Sequence, residues 1–209
     1  MTGKYVLASG NEGKLREISA MLEPLGFTVQ AQSEWGVPEA IEDASTFVEN
    51  ALIKARQAAK FTGLPSIADD SGLVVPALDG RPGIYSARYA GEDADAKANM
   101  VKLAAEMLHK TGDQRHACFY CVLVLVNSAD DPAPLIATGR WFGEILTEQR
   151  GTAGFGYDPL FGVSELRGPD GIPSAAELAR EQKAAISHRG RALRDLVRQL
   201  RERDESLFQ

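Results

Sequence analysis

The chain opens with two short apolar runs separated by a glycine-containing turn and a helical pattern, and this β-α-β start suggests an α/β architecture. Tyr5-Val6-Leu7-Ala8 reads as a buried strand, Ser9 to Gly13 as a polar turn, and Lys14 to Leu22 as a helix. Leu15, Ile18 and Leu22 fall at i, i+3 and i+7 of that helix, and Phe27 to Ala31 supplies the second strand.

The same alternation continues. After an acidic, irregular stretch from Gln32 to Ser45, Thr46-x-x-Glu49 is a capping box that starts a helix running to Thr62, with Gly63 as its stop. Phe47, Ala51, Ala55, Ala58 and Ala59 give it a small face suited to close packing on a sheet, while Thr46, Asn50 and Lys54 share a different face. Ser66 to Asp69 reads as a short strand and Leu73-Val74-Val75 as another, with Asp79 to Gly83 as a loop. Ala96 to Lys110 is an amphipathic helix, Ala117 to Val126 a long central strand, and Leu135 to Phe142 a returning strand. Ser174 to Lys183 is expected to be helical, and Leu193, Leu196, Val197 and Leu200 mark a last amphipathic helix. The chain's 209 residues suffice for one well-buried core, with room for two lobes.

Charge narrows the function. A net charge of −6 disfavours bulk binding to a nucleic acid polymer, yet a local cluster of Lys and Arg can still serve a small anionic substrate. The sequence contains no apolar stretch of the roughly 20 residues needed to span a bilayer, and the N-terminus has no signal-peptide pattern. Cys118 and Cys121 are the only cysteines, which fits a reducing compartment, so cytoplasm is the expected location. Their Cys-x-x-Cys spacing falls inside a strand pattern, where i and i+3 face opposite sides, and no second pair completes a zinc site.

Several segments carry possible chemistry, and each has a plainer reading beside it. In Ala8-Ser9-Gly10-Asn11-Glu12-Gly13-Lys14 a strand gives way to a helix, so free N–H groups and a lysine can cradle an anion; an ordinary β-α turn with a surface lysine accounts for the same residues. It is not a Walker A loop, because Gly10 lies only three positions before Gly13 and Leu15 follows the lysine. Asp69 and Asp70 end an apolar strand, where alternation sends one inward to anchor the loop and lets the other hold Mg²⁺ or polarise a water; an Asp-rich turn is the alternative. Glu42 is a second carboxylate source or a solvated loop charge, and Lys54 a phosphate contact or a surface lysine. Phe155-Gly156-Tyr157-Asp158 offers aromatic faces to a base or forms a packed turn. Ser187 is a candidate N-cap. His188 and Arg189 would then stand at a helix start, where the dipole disfavours cations unless an acceptor is near, and Lys183 lies close by in sequence.

Taken in order, these segments resemble the inosine triphosphatase family of purine nucleoside triphosphate pyrophosphatases, the dITP/XTP pyrophosphatases. The matching pieces are Ser9-Gly10-Asn11-Glu12-Gly13-Lys14, Thr46 to Ala51 with Lys54-Ala55, Ala68-Asp69-Asp70-Ser71-Gly72-Leu73, Pro82 to Tyr89, Phe155 to Pro159 and Ser187-His188-Arg189. The resemblance implies hydrolysis of dITP, ITP and XTP to the monophosphate and pyrophosphate with Mg²⁺, by a homodimer. It also implies a single elongated two-lobed α/β domain around a long mixed sheet, with a cleft between the lobes. It makes Asp70 the catalytic carboxylate and a metal contact, with Glu42 as a supporting metal ligand and Lys54 on phosphate. Ser9 to Lys14 and Ser71 would contact substrate, and Phe155, Gly156, Tyr157, Asp158, Lys183, His188 and Arg189 would form the base side. Ala44 stands where the family often has Gly. Asp69 is expected to be a structural neighbour of Asp70, and Arg189 or backbone N–H groups to donate to a 6-keto oxygen, which adenine lacks.

Overall fold

The computed structural model describes the backbone of residues 3–10 and 12–206 and the side chains of 3–10 and 13–203. The α/β expectation is met. The strands are β1 (Gly3–Leu7), β2 (Phe27–Ala31), β3 (Ser66–Val74), β4 (His116–Val126), β5 (Leu135–Ile145) and β6 (Phe161–Val163), and the helices are α1 (Glu12–Leu22), α2 (Phe47–Thr62), α3 (Ala96–Glu106), α4 (Arg180–Ile186) and α5 (His188–Ser206). The strands form one mixed sheet in the order β2-β1-β3-β4-β5-β6. β1 runs parallel to β2 and β3, so α1 is the crossover of a β-α-β unit, whereas β5 and β6 are antiparallel.

The chain divides into two compact units, whose boundaries fall within β3, β4, β5 and α5. The first unit comprises residues up to Asp70, Cys121–Gly139 and the chain from Arg191. Leu7, Ile18, Leu22, Ile67, Leu123, Leu125, Leu193 and Leu196 form its core, all at most 2% exposed. Within it α2 starts as the capping box dictates: Thr46 Oγ1 accepts the Glu49 N–H at 3.2 Å and donates to the Glu49 carboxylate at 2.8 Å. Gly63 takes the left-handed conformation (φ 68°) that closes the last turn. Ala51, Ala55, Ala58 and Ala59 are buried, and α2 packs against β1.

The second unit comprises Ser71–Tyr120 and Arg140–Gly190, with Leu73, Leu103, Met107, Phe119, Trp141, Ile145 and Phe161 in its core. Three expectations are corrected by the structure. β3 is one strand through Asp69-Asp70-Ser71-Gly72, where the sequence suggests two strands and a turn. α3 ends at Glu106 instead of continuing to Lys110. The reason is Arg115, whose guanidinium donates to the carbonyls of Met107 (2.9 Å) and Lys110 (3.0 Å) and to those of Ile145 (2.5 Å) and Leu146 (2.7 Å), diverting the chain after the helix. The stretch from Ser174 to Lys183 is not one helix. Ser174 starts a single 3-10 turn over Ala175–Glu177, Leu178 and Ala179 are extended, and α4 begins at Arg180. The Ser174 hydroxyl donates to the Arg150 carbonyl (2.7 Å) and Leu178 is buried in the core, so both ends of the turn are fixed outside a helical path.

Candidate active site

In the first unit, α2 carries Lys54 to a pair of carboxylates. Its Nζ lies 2.8 Å from Glu42 Oε2 and 3.2 Å from Asp70 Oδ1. Asn50, one turn earlier on the same face and 1% exposed, accepts the Ala44 N–H at 3.1 Å, which ties the loop bearing Glu42 to the helix. Ala44 therefore does not displace Glu42 from Lys54. Asp70 is buried, and its carboxyl is pushed up from the ordinary 3.8 to about 6: burial raises it most, Lys54 pulls it back, and Glu42 and Asp69 raise it further. For Lys54, burial is the largest single influence and lowers its pKa, but Asp70, Asp69 and Glu42 together outweigh it and hold the ammonium above the usual lysine value. A carboxylate poised near neutral beside a fixed cation is suited to take a proton from water.

Asp69 points to a different partner. Its side chain is fully buried and Oδ1 lies 2.9 Å from Lys14 Nζ in the first turns of α1. Ala8, Ser9, Gly10, Lys14, Gln32, Glu39, Ala40, Glu42, Lys54, Gln57 and Asp69 line one cavity of about 170 Å³. Five residues singled out in the sequence (Ser9, Gly10, Lys14, Glu42 and Lys54) thus meet there. A Cβ on Gly10 would meet nothing within 4 Å, so its place is not dictated by crowding. Gly13 is half-buried in α1. Asn11 lies outside the described residues, and of Glu12 only the backbone, at the start of α1, is described.

The second unit gathers the other group. Phe155 presents a half-exposed ring, with Lys183 Nζ 4.9 Å and the Arg189 guanidinium 5.7 Å from its centroid. Asp158, 2% exposed, accepts the Phe155 N–H at 2.7 Å and pairs with Lys183. Arg189, 4% exposed, reaches Ser71 Oγ at 3.4 Å. His188 stacks on Phe119, with centroids 4.8 Å apart and planes within 12°. Ser187 Oγ accepts the Gly190 N–H at 3.2 Å, which is the expected N-cap of α5. Tyr157 is buried with its hydroxyl on the Ser86 carbonyl (2.8 Å), and Gly156 (φ 60°) lets the chain turn between Phe155 and Tyr157.

Three supports escaped the sequence reading. Phe119 and Trp141 back His188, and only their strand alternation hinted at an inward face. Gly154 is left-handed (φ 80°), and a Cβ there would stand 2.0 Å from Asp158 Oδ2; a glycine two residues ahead of another was the sole sign. Asp69, expected as a structural neighbour of Asp70, does turn to a different partner and holds Lys14.

Asp70 Oδ2 is buried and has no hydrogen-bond partner among the described residues, which fits a Mg²⁺ contact. The described residues contain no group of three His, Cys, Asp or Glu side chains placed around one metal position. Among the described residues no helix is long and apolar enough to cross a membrane.

Comparison with known proteins agrees with this geometry. The model of the Ham1 family matches residues 5–199. The chain is 54% identical to the dITP/XTP pyrophosphatase of Vibrio cholerae serotype O1 over 95% of its own length and 97% of the relative's. It is likewise 54% identical to the dITP/XTP pyrophosphatase of Escherichia coli K12, over 95% and 98%. Among solved structures, a HAM1 protein from Coxiella burnetii superposes with a TM-score of 0.88 at 48% identity, covering 95% of this chain and 98% of that one. The Staphylococcus aureus Ham1 protein gives 0.85 at 39%, covering 96% and 99%.

Proposed function

The chain belongs to the Ham1 family, and from that membership we propose that it is a dITP/XTP pyrophosphatase, hydrolysing dITP, ITP and XTP to the monophosphate and pyrophosphate. Such an activity removes non-standard purine nucleotides from the precursor pool. The observation that carries the reading is the buried Asp70, fixed through Oδ1 by Lys54 with Oδ2 left available.

Cleavage of the α–β anhydride needs a placed water, neutralised phosphate charge and a held leaving group. Asp70 is assigned to orient the water and take its proton, and Lys54 to keep that carboxylate in place. Asp70 and Glu42 are the residues that would hold Mg²⁺, which when bound supplies charge neutralisation on the triphosphate. Lys14, with the backbone of Ser9 to Gly13, is assigned to phosphate. In the second unit, the Phe155 ring with Lys183 and Arg189 is assigned to the base, and Ser71 to substrate. Asp158 supports this group through its bonds to Phe155 and Lys183. Arg189 is assigned to a 6-keto oxygen; adenine presents an amino donor there, leaving a buried donor unpaired. The working form is assigned as a cytoplasmic homodimer.

The test is pyrophosphate release, with Mg²⁺, across dITP, XTP, dGTP and dATP. Strong preference for the first two is expected; equal rates on all four would refute the assignment. Arg189→Ala should lose activity on ITP out of proportion to ATP, and proportional loss would remove Arg189 from base selection.

A further inference from the structure

The paired carboxylates of β3 do not share one task. Asp70 meets Lys54 of α2, and Asp69 meets Lys14 of α1. The Asp69 side chain is 0% exposed, and Lys14 is the third residue of its helix. A cation in a first turn faces the positive end of the helix dipole and is disfavoured there unless an anion lies close. The sheet register supplies that anion. Val6 and Leu7 pair with Ser66 and Ile67, and the Ala8 N–H donates to the Ile67 carbonyl at 2.8 Å. The end of β1 and Ala8 are thereby laid alongside the part of β3 that bears Asp69.

We infer that Asp69 is a positioning residue that holds the Lys14 ammonium at the cavity it shares with Ser9, Gly10 and Lys54, ready oriented for a polyphosphate. The inference rests on the proposed hydrolase reading and deepens it. A cation fixed before the ligand arrives loses less side-chain freedom on binding than a free lysine, so affinity rises although a negative charge stands beside an anion site. A carboxylate that merely competed for Lys14 would act in the opposite direction. A carboxylate that only stabilised the strand would not act through Lys14 at all.

The sign of the effect separates these cases. Binding of inorganic tripolyphosphate is measured by calorimetry, in buffer containing magnesium, for the wild type, Lys14→Met, Asp69→Asn and the double variant. Loss of the charge-assisted contact should weaken binding about tenfold or more in Lys14→Met. Asp69→Asn should weaken it by at least about threefold, and the double variant should bind like Lys14→Met alone, because coupled residues are not additive. Tighter binding by Asp69→Asn, no change, or an additive loss in the double variant each overturns the inference. If Asp69→Asn does not fold, the double variant, which carries no unpaired charge, decides: a dissociation constant more than about threefold from that of Lys14→Met shows that Asp69 does not act through Lys14. Tripolyphosphate binding needs no turnover. A wild type that binds it but releases no pyrophosphate from dITP sinks the hydrolase reading and leaves the coupling test standing, whereas a wild type that fails to bind it overturns the inference itself.

Discussion

Asp70 is held in an environment that disfavours its charge, and this has two measurable consequences. Its folded value of about 6 lies above the ordinary 3.8, so the stabilisation associated with its proton is complete below about 3.8 and is lost as pH rises through 6. The ionised group is a cost to folding, so the wild-type melting temperature should fall more between pH 5 and pH 8 than that of Asp70→Asn, and equal pH dependence in the two would contradict the shift. The same variant should lose turnover. In the wild type, kcat/KM should fall as pH drops through 6 at low magnesium, and the limb should move to lower pH as magnesium is raised, since metal and proton compete for the carboxylate. A limb insensitive to Asp70→Glu would remove Asp70 from the base role. Gly154 offers a second residue-level test. Gly154→Ala adds a methyl against Asp158 Oδ2 on a backbone that favours glycine, so the Phe155 N–H and Lys183 lose their anchor. Steady-state kinetics should show KM for dITP rising about tenfold or more with a smaller change in kcat, by analogy with loss of a buried charged hydrogen bond of about 1.5–3 kcal/mol.

Elements were legible where their signals were local. The β-α-β opening, the capping box of α2, the long β4 and the Ser187 cap of α5 all follow from periodicity and termini that a neighbouring element does not alter. Element ends set by distant groups were not. α3 stops where Arg115 captures the carbonyls beyond it, and nothing in the helix itself signals that. Likewise β3 passes through Asp69 and Asp70 because lysines on α1 and α2 meet them; read alone, two carboxylates before Ser-Gly look like a turn. Motif order singles out Asp70 and Lys54, which the structure places side by side. It does not single out the Asp69–Lys14 pair, which depends on the parallel register of β1 and β3. Arg115→Met should lower stability by about 2–4 kcal/mol, since it strips donors from four carbonyls of which several are buried. Thermal melts check this, and an unchanged midpoint would mean water replaces the guanidinium without loss.

For the whole molecule, the acidic balance (29 Asp and Glu against 23 Lys and Arg) argues for a small ligand over a nucleic acid polymer. Sedimentation should give twice the 22.5 kDa chain mass for the homodimer proposed above, and a monomer at micromolar concentration would refute it. The first unit carries that acidic balance into the cluster around Lys54. Asp69, Asp70 and Glu42 set three carboxylates against the two ammonium groups of Lys14 and Lys54, leaving one negative charge uncompensated. A bare triphosphate meets like charge there, and a divalent cation on the nucleotide roughly halves that repulsion. Speciation, more than total nucleotide concentration, is then the quantity to which such an enzyme responds.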